Sequence, residues 1–234
     1  MFPTSGWVGQ TLQTALSEPP QMTLTFYSYG ILLKKQLADG TFTEHPVDAA
    51  HIAQALSAKV TFETGLRDGD MLFVRQTGLR QLVIGYRKPQ LTGVWLEGQG
   101  EALRVPLPGL VMVQAVVDAR PTQTHVYAVK RRPTSLTAPL YHAPLPNVFN
   151  SGSVCWGSVP QTASMGLSLT ATWARLFGTA FGGHATSGKS RIYPQDICEG
   201  LLALAKQTQR TYPRPDLMAA EMTLAKLVER GRDD

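Results

Sequence analysis

MLFVRQTGLRQLVIGY, residues 71–86, decides the fold class. Two apolar runs, MLFVRQ (71–76) and RQLVIGY (80–86), stand on either side of a glycine. Each is too short for a helix and rich in residues that fit a pleated surface. The texture repeats downstream in GVWLEG (93–98), ALRVPLPGLVMVQAVV (102–117) and HVYAVKR (125–131), with Gly, Pro or Asp between most of them. Short strands at this spacing predict a meander of antiparallel hairpins over residues 70–130.

Upstream, MTLTFYSYGILLKK (22–35) reads as strand, Asp39-Gly40 as a turn and Thr41-Phe42-Thr43 as a returning strand. Pro46-Val47-Asp48 then precedes AAHIAQALS, a short amphipathic helix with Ile52, Ala53 and Leu56 on one side. Downstream of 131 the periodicity lapses. RRPTSLTAPLYHAPLPNVFNSGSVCWGSVP (131–160) is proline-rich, and loops of this length inside compact domains are often functional. Helical patterns follow in LSLTATWARLF (167–177), QDICEGLLALAKQ (195–207) and PDLMAAEMTLAKLVER (215–230). In the last, Leu217, Ala220, Leu224, Leu227 and Val228 line one face. Sheet first, long loop, helices last is the α+β order.

Composition narrows the function classes. The 22 basic and 17 acidic residues leave a net charge of +5. They are scattered except at Lys34-Lys35 and Lys130-Arg131-Arg132, so no basic stripe interleaved with aromatics points to nucleic acid. Two cysteines, Cys155 and Cys198, cannot build a disulfide framework, and no CxxC pair suggests zinc. No HExxH, no GxSxG and no run of about 18 apolar residues occurs. Met1–Gln10 has neither a basic nor an apolar signal region. A reducing cytoplasm is the expected compartment, with both thiols free.

The chemistry-bearing segment is Leu145-Pro146-Asn147-Val148-Phe149-Asn150-Ser151-Gly152-Ser153-Val154-Cys155-Trp156. It resembles the active-site segment of ubiquitin-conjugating enzymes, which reads His-Pro-Asn, an aliphatic residue, a turn ending in Gly, two more residues and then Cys. Pro146, Asn147, Val148, Gly152, Val154 and Cys155 match in register. Leu145 occupies the histidine slot, a departure shared with one branch, the prokaryotic ubiquitin-conjugating-enzyme-like family D. Members of that branch carry another histidine after the cysteine, and here the only one is His184. The resemblance is strongest over residues 140–190.

The resemblance implies a ubiquitin-conjugating-like core over residues 65–208. A hairpin-and-helix extension (1–64) would pack on it, and a C-terminal helix (209–234) would follow. It implies Cys155 as nucleophile, accepting a ubiquitin-like protein as a thioester and passing it to an amine. His184 would serve as base for the attacking thiol or amine. Asn147 would either donate to the developing oxyanion or lock the loop; the sequence leaves both open. The implied partners are the ubiquitin-like protein, a ThiF-like activating enzyme and a JAB-type protease of the same operon. No cofactor or metal is called for, because the activating enzyme would supply the adenylate. The alternative is a scaffold that binds the ubiquitin-like protein or its activating enzyme, with an incidental cysteine.

Plainer readings stand beside these. A cysteine between Val154 and Trp156 can be a packed apolar residue, and Cys198, in the pattern Ile197-Cys198…Leu201-Leu202, is expected in the core. Asn147 after Pro146 suits a turn, and His184 in Phe181-Gly182-Gly183-His184 suits a solvated loop. His142, three residues before Leu145, is a candidate to fill the missing histidine's space. Finally, Gly183-His184-Ala185-Thr186-Ser187-Gly188-Lys189-Ser190 fits the phosphate-binding GxxxxGK[ST] pattern. The preceding LSLTATWARLF looks helical where a strand is required, and no strand with a terminal Asp follows to hold magnesium, so nucleotide binding is not expected.

Overall fold

The structure is a computed structural model that describes residues 22–37, 39–57, 61–118, 120–158, 168–207 and 209–233. The start of the chain before Met22 and the first position of the 167–177 helical pattern lie outside these residues. The chain divides into two compact units, residues 1–59 and 60–234.

The first unit holds an antiparallel sheet in the order β1 (Met22–Tyr27), β2 (Gly30–Gln36), β3 (Phe42–Val47), followed by helix α1 (Ala49–Ser57). The strand expected over 22–35 is thus two strands. A two-residue turn at Ser28-Tyr29 pairs Met22 with Lys35 and Tyr27 with Gly30. Tyr27 and Tyr29 stack with ring centroids 5.4 Å apart. The Asp39-Gly40 turn forms as expected: Gly40 has φ +82°, and Asp39 Oδ1 accepts from the Thr41 amide at 2.9 Å. The first turn of α1 is capped by Asp48 Oδ1, which accepts from the Ala50 amide at 2.6 Å.

The second unit is built on a seven-stranded antiparallel sheet. Its strands are β4 (Thr61–Glu63), β5 (Met71–Thr77), β6 (Arg80–Arg87), β9 (Gly109–Val117), β10 (Arg120–Val129), β11 (Pro139–His142) and β13 (Ala219–Thr223). They are ordered β13-β11-β10-β9-β6-β5-β4. Between β6 and β9 the chain leaves this sheet. β7 (Gln90–Leu96) and β8 (Leu103–Leu107) form a hairpin of their own, joined in parallel by β12 (Ala180–Phe181). The expected single meander is therefore interrupted. The run 102–117 breaks at Pro108, which has no amide hydrogen to keep a ladder going and carries the chain from one sheet to the other.

β9 is buried on both faces, as a central strand must be. On one face Leu110, Met112, Val126 and Ala128 pack with Val94, Val105 and Leu107 of the β7–β8 hairpin. Leu176 of helix α2 (Leu169–Phe177) and Leu201 and Leu204 of helix α3 (Ile197–Ala205) close that core. On the other face Phe73, Ile84, Val111, Val113 and Tyr127 pack with Leu224, Leu227 and Val228 of helix α4 (Leu224–Asp233).

The C-terminal segment corrects a second expectation. The pattern over 215–230 is a 3-10 turn at Arg214–Asp216, then strand β13, and helix only from Leu224. Its apolar residues serve different cores: Leu217 joins the first, Leu224, Leu227 and Val228 the second. A strand-then-helix path lets one segment complete the sheet edge beside β11 and still cover a sheet face. The architecture is α+β, mostly antiparallel sheet with few helices.

Candidate active site

The segment 147–155 is not an open loop. Val148 and Val154 form an antiparallel bridge, with Phe149 N donating to Ser153 O at 2.9 Å and Cys155 N donating to Asn147 O at 2.8 Å. This short ladder is itself hung on the edge of β10. Val126 N donates to Gly152 O at 2.7 Å and Val154 N donates to Thr124 O at 3.0 Å, bracketing a His125–Ser153 bridge. Alternation along a ladder sends Asn147, Phe149, Ser153 and Cys155 to the side opposite Val148 and Val154, which are both in the core. The two valines anchor the ladder, and the thiol stands half-buried at its end.

Gly152 turns the ladder. Its φ is +84°, and a Cβ there would lie 2.3 Å from the Tyr127 ring. No side chain fits. The Tyr127 hydroxyl donates to Ser151 O across the same turn.

The structure gives Asn147, Cys155 and His184 distinct settings. Asn147 is 5% exposed, its backbone carbonyl holds the Cys155 amide, and its side-chain Oδ1 is buried without a hydrogen-bond partner. His184 is exposed, and its ring lies against Phe149 of the ladder at 6.0 Å between centroids. Among the described residues no hydrogen bond joins His184 to Cys155. A Cβ at Gly182 would lie 3.1 Å from His184 Nδ1 and 3.3 Å from Glu97 Oε2, so the imidazole and the Glu97 carboxylate flank that glycine together. Glu97 follows β7, and nothing in its sequence surroundings marked it.

Leu145 is fully buried in the first core. His142, in β11, is half-buried beside the turn of the ladder. Burial first, and then the charge on Lys189, lower its pKa, while the backbone of Asn150 opposes them.

The GxxxxGKS segment has no phosphate-loop geometry. A two-residue strand leads into it and no helix starts on its Lys-Ser. Lys189 is 0% exposed, and its Nζ donates to Leu145 O at 3.0 Å. Ser190 Oγ donates to the buried Asp216 Oδ1 at 2.7 Å. Asp216 also accepts from the Ile192 amide at 2.8 Å and from the Tyr212 hydroxyl at 2.7 Å. The Tyr212 pKa is raised by burial and then by that carboxylate. Cys198, the second residue of α3, has its thiol pushed up to about 12 by burial and then by Asp196.

No group of three or more His, Cys, Asp or Glu arranged to hold a metal occurs among the described residues, and no helix among them is long and apolar enough to cross a membrane. The family model described as prokaryotic E2 family D matches residues 51–220, most of the chain. No curated protein and no solved structure matches it.

Proposed function

The chain belongs to prokaryotic E2 family D, and from that premise we propose that it accepts a ubiquitin-like protein as a thioester on Cys155 and passes it to an amine. The family membership supports a ubiquitin-conjugating-like role. The observation that carries the reading to Cys155 is the ladder itself: it turns Val148 and Val154 inward and leaves the thiol half-buried at the rim. A conjugating thiol has to meet another protein's thioester, so it cannot be packed away.

In the first step the Cys155 thiolate attacks the thioester carbonyl presented by a ThiF-like activating enzyme. The carbonyl oxygen becomes an oxyanion, the donor thiolate leaves, and the acyl group is on Cys155. In the second step an amine attacks the new thioester, an amide forms, and Cys155 departs as thiolate. The amine loses one proton in that step. His184 is the group we assign to take it, because it is exposed and its imidazole lies against Phe149 on the ladder. Asn147 is assigned to the oxyanion. The donor for that role is its side-chain Nδ2, while its backbone carbonyl already holds the Cys155 amide. The system would be a bacterial ubiquitin-like one of the PRTRC type, in the cytoplasm, with a JAB-type protease as a further partner.

The test mixes the full chain with the activating enzyme, the ubiquitin-like protein and ATP, and reads a non-reducing gel. An ATP-dependent adduct is expected, lost with thiol reductant and with Cys155→Ala. If the two partners charge each other and no adduct forms on this chain, the protein is a binding scaffold instead.

A further inference from the structure

Beyond His184, the segment Gly183–Ser190 takes no part in the chemistry proposed for Cys155, yet it contains a fully buried lysine. An ammonium taken out of water must recover its lost hydration from acceptors, or it destabilises the fold by several kcal/mol. Lys189 gives a hydrogen bond to one backbone carbonyl, Leu145 O, at 3.0 Å. That carbonyl also accepts the Val148 amide at 3.2 Å, closing the turn that leads into the ladder. Val148 pairs with Val154, and the neighbouring Asn147 carbonyl holds the Cys155 amide. A single carbonyl therefore links the buried charge to the strand against which the thiol is held.

The lysine's own backbone is fixed from the other side. Ser190 is tied to Asp216, the Arg191 amide donates to Asp216 O at 3.0 Å, and the Gly188 amide donates to Pro194 O at 2.8 Å. Asp216 is in turn held by Tyr212 and the Ile192 amide. With the base anchored at three points, the ammonium dictates where the carbonyl sits. The titratable groups facing it are His142 on β11 and Cys198 on α3. Burial brings Lys189 down to about 8, which leaves it mostly charged at neutral pH.

We propose that Lys189 is a positioning residue for Cys155: its buried amine clamps the Leu145 carbonyl, closes the Leu145–Val148 turn, and so sets the strand that holds the thiol. The assignment rests on the reading of Cys155 as the thioester site. A charge-assisted bond is stronger than a neutral one, which suits a clamp on the turn that leads into the ladder.

The experiment measures amide hydrogen exchange at Val148 and Cys155 in the full chain at pH 7, alongside thermal melting and thioester charging. Lys189→Met removes the donor and keeps the length; Lys189→Arg keeps the charge. Expected for Lys189→Met is exchange faster by about tenfold or more at these two amides, with the amides of β9 unchanged. Charging is expected to fall by a similar factor. Lys189→Arg should restore both readouts to within about twofold of wild type. Unchanged exchange at the two amides, equal acceleration throughout the unit, or failure of arginine to restore charging would each overturn the proposal. If Lys189→Met does not fold, Lys189→Gln, which removes the charge and is too short to keep the same bond to the carbonyl, is judged on the same readouts. Loss of folding in both makes Lys189 a requirement of the core rather than of the ladder and also overturns it. Exchange is measured without partners, so absence of charging in the wild type would remove the conjugating role and leave the exchange result standing.

Discussion

The two cysteines occupy contrasting ground. Cys155 ends a three-residue ladder on the edge of β10, where a backbone bond to Asn147 fixes its position and its side chain points away from the valines that anchor the ladder. Cys198 sits in the first turn of α3, its amide capped by Asp196, packed against the first core with Lys189 nearby. Both are half-buried. Exposure alone does not separate them. Cys198 faces a carboxylate and apolar packing, which together disfavour its thiolate, so a cysteine near a lysine is not thereby activated.

The largest effect expected from this difference is in alkylation. With its pKa near 12, Cys198 is ionised in fewer than about one molecule in 10,000 at neutral pH. Cys155 should react with iodoacetamide at least about 100-fold faster in the folded protein, read by mass spectrometry of the two peptides. Equal rates would erase the distinction between the sites.

His184→Ala sharpens the contrast next. Transfer to an amine should slow by about 100-fold with charging of Cys155 largely kept, measured as single-turnover discharge. A near-normal discharge rate would remove His184 from the chemistry.

Gly152→Ala should then test how much the ladder matters. It combines a left-handed φ with an overlap against Tyr127, so a loss of about 3 kcal/mol is expected in urea unfolding. The alkylation rate of Cys155 should shift while that of Cys198 does not. A mild effect on both would mean that the turn rearranges freely.

The smallest effect is on stability against pH. Lys189 has a folded pKa of about 8 against an ordinary 10.5, so the unfolded chain binds more protons in between and Lys189 makes stability rise with pH, by about 1 kcal/mol between pH 8 and 9. Cys198 has a folded pKa of about 12 against 9.0, so the folded chain binds more protons there and stability falls over that window. Unfolding midpoints should rise from pH 8 to 9 and flatten beyond. Cys198→Ala should extend the rise, and Lys189→Met should abolish it.

Much of the site was legible in the sequence because its parts are local. Gly152 and the Asn147–Cys155 spacing lie within one short segment, where turn chemistry and register constrain each residue through its neighbours. The strand pairs β5–β6 and β9–β10 were legible for the same reason. The interruption by β7–β8 was not, since both possible partners of β6 read as equally good strands and only packing chooses between them. The C-terminal pattern misled because Leu217 and Ala220 fit a helical stripe, while the competing demand came from β11, far away in sequence.

The sequence by itself determined the α+β class, the family, and the local spacing around Cys155, because each depends on residues close together in the chain. Only the tertiary structure decided that the GKS segment binds no phosphate in the manner of its pattern and instead buries Lys189 against Leu145, that Asp216 holds Ser190, and that Tyr127 fills the space beside Gly152. Each of these joins residues more than twenty positions apart. The physical reason is that a buried charge or a missing side chain is tolerated only where a specific distant partner meets it, and no local pattern in the chain names that partner.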